Sequence, residues 1–411
     1  MTIVEFYDRT PIENMVSCLA IQPERIIFVG DRKKLERQKD EFERFLNAAD
    51  IWDTRLIYCS VNRNSLSDIV ELLIEIVDEY SDCSFDLTGG DELCLVAVGI
   101  VSERLKEKHI QLHRFNINSG HVIDCDQDGQ VVEAVIPDLT VEQNIVLNGG
   151  IVTDAGERLM GTSFNQPDDD EYLDDLETMW EICRKDCGLW NYQCTMLGRL
   201  EQLDERPEDE LALLVSVEKA RQELDRTHQG LNLQGILPQL CSAGLITDYA
   251  EADGYLSMRF KNSIIKNCLC KAGNVLELYT FLTAKLAQNA EGEYVFSDGM
   301  NGVIIDWDGA GRKNSDSFNE IDVLLMRGMV PIFVSCKNGD LSVSELYKLN
   351  SVAEHFGGGY ARKILVGTTM GGPERCTLMT NRADDLGIRV ISGVQLMTQE
   401  EFTAKLIAAS I

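Results

Sequence analysis

Two apolar segments predict a pair of neighbouring strands: Asn319-Glu320-Ile321-Asp322-Val323-Leu324-Leu325 and, after the turn Arg327-Gly328-Met329, Pro331-Ile332-Phe333-Val334-Ser335-Cys336-Lys337. Asp322 lies inside the first apolar run, and Lys337 ends the second. Burying either charge costs several kcal/mol unless an opposite charge or hydrogen bonds compensate it. The pattern therefore predicts that Asp322 and Lys337 lie at neighbouring strand ends, where each is compensated.

A divalent cation is one such partner for Asp322, because carboxylate oxygens are the hard ligands that Mg²⁺ and Mn²⁺ prefer. Lys337 can then orient an attacking water or stabilise the charge that develops on a phosphodiester. Ser335 and Lys337 are two residues apart on a strand, so their side chains share a face. Cys336 points to the other face, which leaves its backbone carbonyl as a further metal ligand. The alternative is a structural ion pair between Asp322 and Lys337.

These residues resemble the PD-(D/E)XK nuclease signature. Asp322 matches its aspartate, and Ser335-Cys336-Lys337 matches (D/E)-X-K with serine in place of the acid. The resemblance implies a metal-dependent phosphodiesterase with Mn²⁺ or Mg²⁺ as cofactor, flanked by a helix at 344–355 and a strand at 363–367. A serine hydroxyl is a neutral and weaker ligand, so either another carboxylate serves the metal or the metal is bound loosely.

Two further glutamates are candidates for the missing carboxylate. Glu277 lies where we expect a helix to open, and it resembles the helix-borne glutamate that many such nucleases contribute to the metal. Glu320, two residues before Asp322 on the same strand face, is a secondary candidate. The metal ligands implied by the resemblance are therefore Glu277, Asp322 and the Cys336 carbonyl. Because Glu277, Asp322 and Lys337 follow one another in the family order, we favour a nuclease over a simple ion pair.

The composition limits the protein class. The 411 residues predict two or three domains. No apolar run approaches the ~18 residues that span a bilayer, and acidic residues interrupt the N-terminal stretch, so we expect a soluble, cytoplasmic protein. The 13 cysteines and five histidines show no paired CxxC spacing, which favours reduced thiols over a zinc site.

The charge is strongly negative and unevenly distributed. A net charge of -30 argues against a protein that coats nucleic acid through a broad basic surface. Residues 168–225 hold 18 acidic and 6 basic side chains, whereas residues 312–375 hold 7 and 8. The segment with Asp322 and Lys337 is therefore the least repulsive to a polyanion, and weak, metal-assisted binding of a single strand is compatible with it.

Strand and helix patterns alternate through the first 150 residues. Such alternation predicts a parallel, doubly wound sheet of Rossmann type, which binds ligands at the carboxyl ends of its strands. The strands are predicted at 3–7, 25–30, 54–59, 83–87 and 111–118. The helices are predicted at 12–20, 33–49, 65–79 and 91–106.

Two loops at these strand ends are unusual. In Asp8-Arg9-Thr10-Pro11-Ile12-Glu13-Asn14 we expect Thr10 to be an N-cap, with Pro11 at the first helical position and Glu13 completing a capping box. Thr88-Gly89-Gly90-Asp91 precedes another predicted helix, so its amides can meet phosphate at a positive helix end. The alternatives are an ordinary cap and an ordinary tight turn. The sequence lacks GxGxxG and GxxxxGK[ST], which disfavours ordinary dinucleotide or ATP binding.

With the C-terminal nuclease pattern, these loops resemble a CARF domain, the CRISPR-associated Rossmann fold, and specifically the CARF plus PD-(D/E)XK ancillary nucleases. The resemblance implies a homodimer activated by cyclic tetra-adenylate in type III CRISPR antiviral defence. Its domains would be a CARF sensor at 1–150, a connector at 151–262 and a nuclease at 263–411. The ligand-binding residues implied are Thr10, Asn14, Thr88, Gly89, Gly90 and Asp91.

The segment between these domains predicts a connector. Residues 168–227 read as helical, followed by a helix at 236–244, a short strand at 245–246 and a hairpin arm at 255–260. This order suggests a winged-helix-like element, whose acidic helices make it a poor DNA reader and favour a signal-transmitting role. Gly357-Gly358-Gly359 predicts a flexible turn near the active site, with an ordinary loop as the alternative.

We therefore expect a ligand-gated nuclease acting on single-stranded DNA or RNA, and possible nicking of duplex DNA. Tyr347 and Lys348, on the helix after the lysine strand, are candidates for contact with substrate phosphate, with a plain surface role as the alternative for Lys348. A non-catalytic, ligand-responsive regulator with a decayed nuclease domain is one rival, favoured by Ser335. A constitutive restriction-like endonuclease is another. The sequence does not distinguish DNA from RNA as substrate.

Overall fold

The structure of this chain is a computed structural model. It describes residues 1–126, 130–132, 137–153, 170–206, 208–226, 230–231, 234–307, 318–339, 341–369, 371 and 373–411. The strands within these residues form three sheets of seven, three and six strands.

The first sheet is the parallel sheet expected from the alternating pattern. Its strands, in the described part of the chain, are β1 (Thr2–Phe6), β2 (Arg25–Gly30), β3 (Arg55–Ser60), β4 (Cys83–Asp86), β5 (Gln111–Asn116), β6 (His121–Asp124) and β7 (Gln130–Val132). The spatial order is β3-β2-β1-β4-β5-β6-β7, with parallel pairing up to β5 and antiparallel pairing beyond it. The strand order reverses between β1 and β4, so the loops after these two strands meet at the switch point where such folds bind ligands.

Helices cover this sheet, and local capping begins several of them. Asp31 and Ser65 are N-caps whose side chains accept backbone hydrogen bonds, as the sequence of each helix start requires. The helices are α1 (Pro11–Ile21), α2 (Arg32–Ala48), α3 (Leu66–Glu79), α4 (Glu92–Arg104) and α5 (Val141–Leu147), with a short 3₁₀ turn at Lys106–Lys108.

The middle of the chain is less helical than predicted. The stretch at 168–227 contains a strand, β9, which pairs with the far arm of the hairpin in a three-stranded antiparallel sheet ordered β10-β11-β9. Tertiary pairing overrides the helical pattern there, because β9 extends the hairpin by pairing antiparallel with β11 along its edge. The elements are β8 (Ile151–Val152), α6 (Asp170–Cys183), α7 (Cys187–Glu201), β9 (Ala212–Ser216), α8 (Val217–Arg226), α9 (Leu237–Ser242), β10 (Ile246–Ala252), β11 (Tyr255–Phe260) and α10 (Ser263–Cys270).

The third sheet contains the paired strands that decide the C-terminal fold. Among the described residues its order is β16-β15-β14-β13-β12-β8, so β8, at the start of the predicted connector, belongs to this sheet. The elements are α11 (Asn274–Lys285), β12 (Asp298–Asp306), β13 (Phe318–Arg327), β14 (Val330–Lys337), α12 (Val343–Gly357), β15 (Arg362–Gly367), α13 (Pro373–Asp385), β16 (Ile388–Ser392) and α14 (Gln399–Ala409), with 3₁₀ turns at Gly358–Tyr360 and Val394–Leu396.

The two faces of the third sheet bury different partners. One face packs with α11 and the connector helices α6 and α7 in a single hydrophobic core. The other face packs with α12, and the same core continues into α1, α2 and α5 of the N-terminal part. Residues of the N-terminal part and of the third sheet therefore share one hydrophobic core.

Two further expectations concern the whole chain. All thirteen cysteines lie within the described residues and none of them is in a disulfide there, as the sequence predicted. Among the described helices, none has the length and apolar content that a membrane crossing requires.

Candidate functional site

The predicted acid and lysine meet where β13 and β14 separate. Backbone pairing between these strands runs up to Val323 opposite Val334 and ends there. Beyond this pair, the backbone N–H of Cys336 donates to the side chain of Asp322 and not to a backbone carbonyl of β13. The strand ends thus open into a cleft of about 300 Å³ between the sheet and α12.

Asp322 is the centre of this arrangement. Its Oδ2 accepts hydrogen bonds from Ser335 Oγ at 3.0 Å, from the Cys336 backbone N–H at 2.6 Å and from Lys337 Nζ at 3.2 Å. Three donors on one oxygen, one of them a charged ammonium, fix the position of this partly buried carboxyl group. Ser335, at the position of the expected acid, therefore supports Asp322 by donating a hydrogen bond to it.

Lys337 is held between two carboxylates. Besides Asp322, Glu345 Oε2 lies 3.7 Å from its ammonium. Burial disfavours the charged form of this lysine, but attraction to Asp322 and Glu345 outweighs burial and raises the pKa of Lys337 above its usual value. The lysine therefore stays protonated and can stabilise an anionic phosphate.

Glu345 was not among the residues predicted for the site. It lies in the first turn of α12, where an acidic side chain is favoured by the helix dipole. The sequence signal for it was weak: an acidic residue at the start of the helix that follows the lysine strand. Only the packing of α12 against β14 brings this carboxylate to Lys337.

Glu277 approaches the same strand ends from the opposite face of the sheet, because α11 packs on that face. Burial is the largest cause of the shift in the pKa of its carboxyl group, followed by repulsion from Asp322. These influences raise the pKa of Glu277 to about 8, although Lys337 opposes them, and Glu320 adds further repulsion. Burial and the neighbouring carboxylates therefore favour the protonated form of Glu277 at neutral pH.

The side chains around Asp322 include several potential metal ligands. Within the described residues, no three His, Cys, Asp or Glu side chains are arranged to hold a metal together. Glu277, Asp322 and Glu320 still interact electrostatically, and carboxylate oxygens are the ligands that Mg²⁺ and Mn²⁺ prefer.

The remaining candidates near the cleft differ in position. The Cys336 side chain is buried on the α11 face, with its Sγ 3.6 Å from Thr280 Oγ1, so it points away from Lys337 as predicted. Lys348 lines the cleft, and its Nζ lies 3.5 Å from Glu345 Oε1. Tyr347 is exposed on the surface of α12.

The first candidate ligand loop is held together by Asn14. The side-chain Oδ1 of Asn14 accepts from the Asp8 N–H at 2.8 Å, and its Nδ2 donates to the Asp8 carbonyl at 3.0 Å. Asn14 is fully buried, so it shapes the loop from beneath. Thr10 is the N-cap of α1 and Pro11 its first residue, as predicted.

The predicted capping box at this loop is wrong. Among the described residues the Thr10 side chain makes no helix-capping hydrogen bond. The Glu13 carboxylate, which the capping box required to turn back, instead accepts a hydrogen bond from the Tyr360 hydroxyl at 2.6 Å. A partner 347 residues further along the chain therefore competes successfully for Glu13.

The second candidate loop is shaped by Thr88 and two glycines. The Thr88 hydroxyl accepts from the Phe115 N–H at 2.8 Å and donates to Asp86. Gly90 has φ +101°, and a Cβ there would lie 2.6 Å from the Phe6 Cβ. Only glycine allows this loop to pack so closely on the end of β1, next to the first loop.

Asp91 ends the second loop as the N-cap of α4. Its Oδ1 accepts from the Cys94 N–H at 3.1 Å, and its Oδ2 pairs with Arg63 at 2.5 Å. The structure therefore brings Thr10, Asn14, Thr88, Gly89, Gly90 and Asp91 to one edge of the first sheet.

The glycine run at 357–359 is not near Lys337. α12 ends at Gly357, at the opposite end of the helix from Glu345. Gly358 has φ +54°, and a Cβ there would lie 3.6 Å from Thr10 Cγ2. The expected turn near the active site is instead a contact with the first candidate ligand loop.

Two solved structures share this architecture along the whole chain. Protein VC1899 from Vibrio cholerae has a TM-score of 0.73 at 18% sequence identity, over 100% of this chain and 98% of that chain. Can2 from Sulfobacillus thermosulfidooxidans, in complex with cyclic tetra-adenylate, has a TM-score of 0.66 at 15% identity, over 100% and 97%. The chain has the fold of these two proteins. The fold class predicted from the sequence, α/β with a Rossmann-like parallel sheet in the N-terminal part and a second α/β sheet in the C-terminal part, is thereby confirmed.

A further structure matches over part of its length. A type III CRISPR defence DNA nuclease activated by cyclic oligoadenylate has a TM-score of 0.50 at 14% identity, over 90% of this chain and 46% of that chain. No family model matches the sequence. No curated protein matches it either.

Proposed function

We propose that this chain is a cytoplasmic, homodimeric nuclease of type III CRISPR defence, activated by cyclic tetra-adenylate and dependent on Mn²⁺ or Mg²⁺. The observation that carries the proposal is the contact of Lys337 with Asp322 at 3.2 Å, at the open ends of β13 and β14. The likeness of the whole fold to a protein solved with cyclic tetra-adenylate supports the activator.

In this proposal Lys337 is the residue that acts on the phosphodiester. Its ammonium orients the attacking water and offsets the negative charge that grows on the phosphoryl oxygens. Asp322 and Glu277 hold the metal, with the Cys336 carbonyl and Glu320 as further donors, and Ser335 keeps Asp322 in place. When bound, Mn²⁺ or Mg²⁺ neutralises the substrate phosphate and makes its water a better nucleophile.

The activator would bind at the edge where the two candidate ligand loops meet. Because the Asn14 side chain and the Thr88 hydroxyl already have partners within the chain, they define the loop shape. Contacts with the ligand would then come mainly from Thr10 and from the backbone N–H groups of Gly89 and Gly90. Backbone N–H groups before a helix such as α4 suit phosphate oxygens.

The second copy of the chain would pair through α4. This helix begins directly after Asp91 and exposes Leu93, Leu95 and Val96, the last with 50% of its surface accessible. Apolar side chains beside a ligand loop favour burial against the same face of another copy. A ring of four identical nucleotides offers equal groups to both copies. A Val96→Glu variant should therefore shift the protein from dimer to monomer in light scattering.

The charge distribution favours single-stranded substrates over tight coating of a duplex. Single-stranded DNA, single-stranded RNA and nicking of a plasmid are the activities to be compared. The decisive assay measures cleavage of the three labelled substrates with Mn²⁺, with and without cyclic tetra-adenylate, for the wild type and Lys337→Ala. Ligand-dependent cleavage that disappears in the variant supports the proposal. Cleavage that persists in Lys337→Ala contradicts the assigned site.

A non-catalytic, ligand-responsive regulator is the second candidate, and Ser335 favours it. The Ser335 hydroxyl donates to Asp322 at 3.0 Å where the family pattern places a carboxylate. If cyclic tetra-adenylate binds tightly but no substrate is cut under any metal condition, the regulator becomes the better description.

A further inference from the structure

The helix α12 contacts both candidate sites, one with each end. Near its N-terminus, Glu345 Oε2 lies 3.7 Å from Lys337 Nζ. After its C-terminus at Gly357, the chain turns directly into Tyr360, whose hydroxyl donates to Glu13 Oε1 at 2.6 Å. Glu13 lies in the first turn of α1, three residues after Thr10. Fifteen residues of helix, about 22 Å at 1.5 Å per residue, therefore join the ligand loop to the candidate catalytic lysine.

The helix is packed as a rigid unit between these contacts. Leu346, Leu349, Val352 and Phe356 are buried in the core that also contains residues of α1 and α2. Close-packed cores resist continuous deformation, so displacement at one end of such a helix moves the other end.

The C-terminal end of α12 is also tied to the N-terminal part by its backbone. The Phe356 carbonyl accepts from Asn144 Nδ2 at 2.8 Å and from Asn148 Nδ2 at 3.1 Å, both at α5. These bonds and the Tyr360 contact are polar and directional, so they favour one position of the helix end over others.

At the other end, Glu345 competes with Asp322 for the same ammonium. Lys337 Nζ lies 3.2 Å from Asp322 and 3.7 Å from Glu345. A small shift of α12 changes the second distance alone, because Asp322 and Lys337 lie on neighbouring strands of one sheet. The position of Glu345 therefore decides how far Lys337 is drawn away from Asp322.

We propose that Tyr360 and Glu345 are positioning residues. The contact of Tyr360 with Glu13 depends on the conformation of the ligand loop, and α12 transmits a change in that conformation to Glu345. Glu345 in turn sets the position of the Lys337 ammonium. This inference rests on the proposed function and adds the route by which the ligand site controls cleavage. The route bypasses the connector, which packs on the opposite face of the third sheet.

The first test compares the ratio of cleavage rates with and without cyclic tetra-adenylate. Tyr360→Phe removes only the hydroxyl that contacts Glu13, and it should lower this ratio about fivefold or more, the usual size of a lost coupling energy. Tyr294→Phe, which changes a tyrosine with 65% exposure, is the matched control and should leave the ratio unchanged.

Glu345→Gln tests the other end of the helix. It should alter kcat with little change in KM for the nucleic acid, because Glu345 acts on the position of Lys337. Glu354→Gln, on the same helix but hydrogen-bonded to Asn350 at 2.9 Å, is its control. If Tyr360 and Glu345 belong to one route, the double variant should lower the activation ratio no further than the stronger single variant.

A second test needs neither metal nor nucleic acid. Trp307 stacks on His355 with ring centroids 4.3 Å apart and meets Phe356 edge-on at 5.4 Å, so its fluorescence reports on the C-terminal end of α12. Cyclic tetra-adenylate should change the fluorescence of the wild type. The change should be absent in Trp307→Phe and at least halved in Tyr360→Phe.

The outcomes separate the two proposals. A wild type that binds cyclic tetra-adenylate without any change in cleavage contradicts the proposed function, and the fluorescence change still decides whether α12 responds. A wild type activated by the ligand, with Tyr360→Phe and Glu345→Gln behaving like their controls in both assays, overturns the route through α12. A fluorescence change that is the same in the wild type and Trp307→Phe also overturns it.

Discussion

Asp86 holds Thr88 by two hydrogen bonds, one from the backbone N–H at 2.8 Å and one from the hydroxyl. Asp86 is fully buried at the end of β4 and is not itself accessible to a ligand. The same threonine hydroxyl accepts from the Phe115 N–H at 2.8 Å. The loop that we assign to the activator is therefore anchored from inside the sheet by a buried acid.

Replacing Asp86 should weaken binding of the activator more than it destabilises the fold. Asp86→Ala removes the Oδ1 atom that accepts both bonds and leaves the Thr88 donors unpaired, whereas Asp86→Asn keeps one oxygen in place. We expect Asp86→Ala to weaken cyclic tetra-adenylate binding about tenfold or more, and Asp86→Asn about threefold or less. Isothermal titration calorimetry measures both. Equal affinities for the two variants would show that Asp86 does not shape the loop.

The pair of buried acids in the first sheet should make stability depend on pH. Burial, and then repulsion from Asp86, holds the pKa of Glu5 well above its usual value, and burial raises the pKa of Asp86 to about 7. In the unfolded chain both groups titrate near about pH 4. The stabilising contribution of Asp86 is therefore complete below about pH 4 and is lost as the pH rises through 7, and Glu5 acts in the same direction.

Asp86→Asn should weaken this dependence because it removes one of the two titrating groups. Between pH 5 and pH 8 the wild type should lose at least ~1 kcal/mol more free energy of unfolding than the variant. Urea denaturation at several pH values measures the difference. Asp53→Asn, at an exposed position, should follow the wild type, and an identical pH slope for Asp86→Asn would contradict the prediction.

Gly90→Ala should destabilise the protein and the second ligand loop. The residue has φ +101°, and an added Cβ would lie 2.6 Å from the Phe6 Cβ, so strain and a steric clash act together. We expect a loss of about 2 kcal/mol or more in the free energy of unfolding. At Gly254, φ is +80° and an added Cβ meets nothing within 4 Å, so Gly254→Ala should lose about 1 kcal/mol from strain alone.

The Ser335→Asp variant tests whether a metal ion binds beside Asp322, through the effect of Mn²⁺ on the Tm. Ser335 Oγ lies 3.0 Å from Asp322 Oδ2, so an aspartate there brings two carboxylates together. Without metal we expect the Tm to fall by roughly 3 °C or more relative to Ser335→Ala, because like charges repel at this distance. Mn²⁺ should restore the Tm of Ser335→Asp more than that of Ser335→Ala. Equal restoration in the two variants would argue against a metal at this position.

The elements of the first sheet up to β5 were largely predictable because their patterns are local, whereas β8, β12 and β16 of the third sheet were not predicted. The strand at Arg25–Gly30 was predicted at its observed bounds, and the neighbouring elements differ by only one or two residues at most of their ends. A run of apolar residues between polar turns leaves few alternatives to a buried strand. The strand β9 was missed because its pairing with β11 is not visible in its own sequence.

The candidate site was predictable in part for a related reason. Asp322 and Lys337 lie on sequential strands joined by a tight turn, so the register of one hairpin brings them together. Glu345 and the Glu13–Tyr360 contact depend on how separate elements pack. The predicted capping box at Thr10 was wrong for this reason, because the prediction took account only of hydrogen-bond partners of Glu13 within its own helix.

The sequence by itself determined the parallel part of the first sheet, the pair of strands β13 and β14 and the approach of Lys337 to Asp322. These follow from apolar periodicity and from charges that are too expensive to bury alone. Only the tertiary structure decided that α12 joins the ligand loop to Lys337, because that link requires contacts between residues up to 347 positions apart. Such contacts are selected by the packing of whole elements, and the local pattern of neither partner contains them.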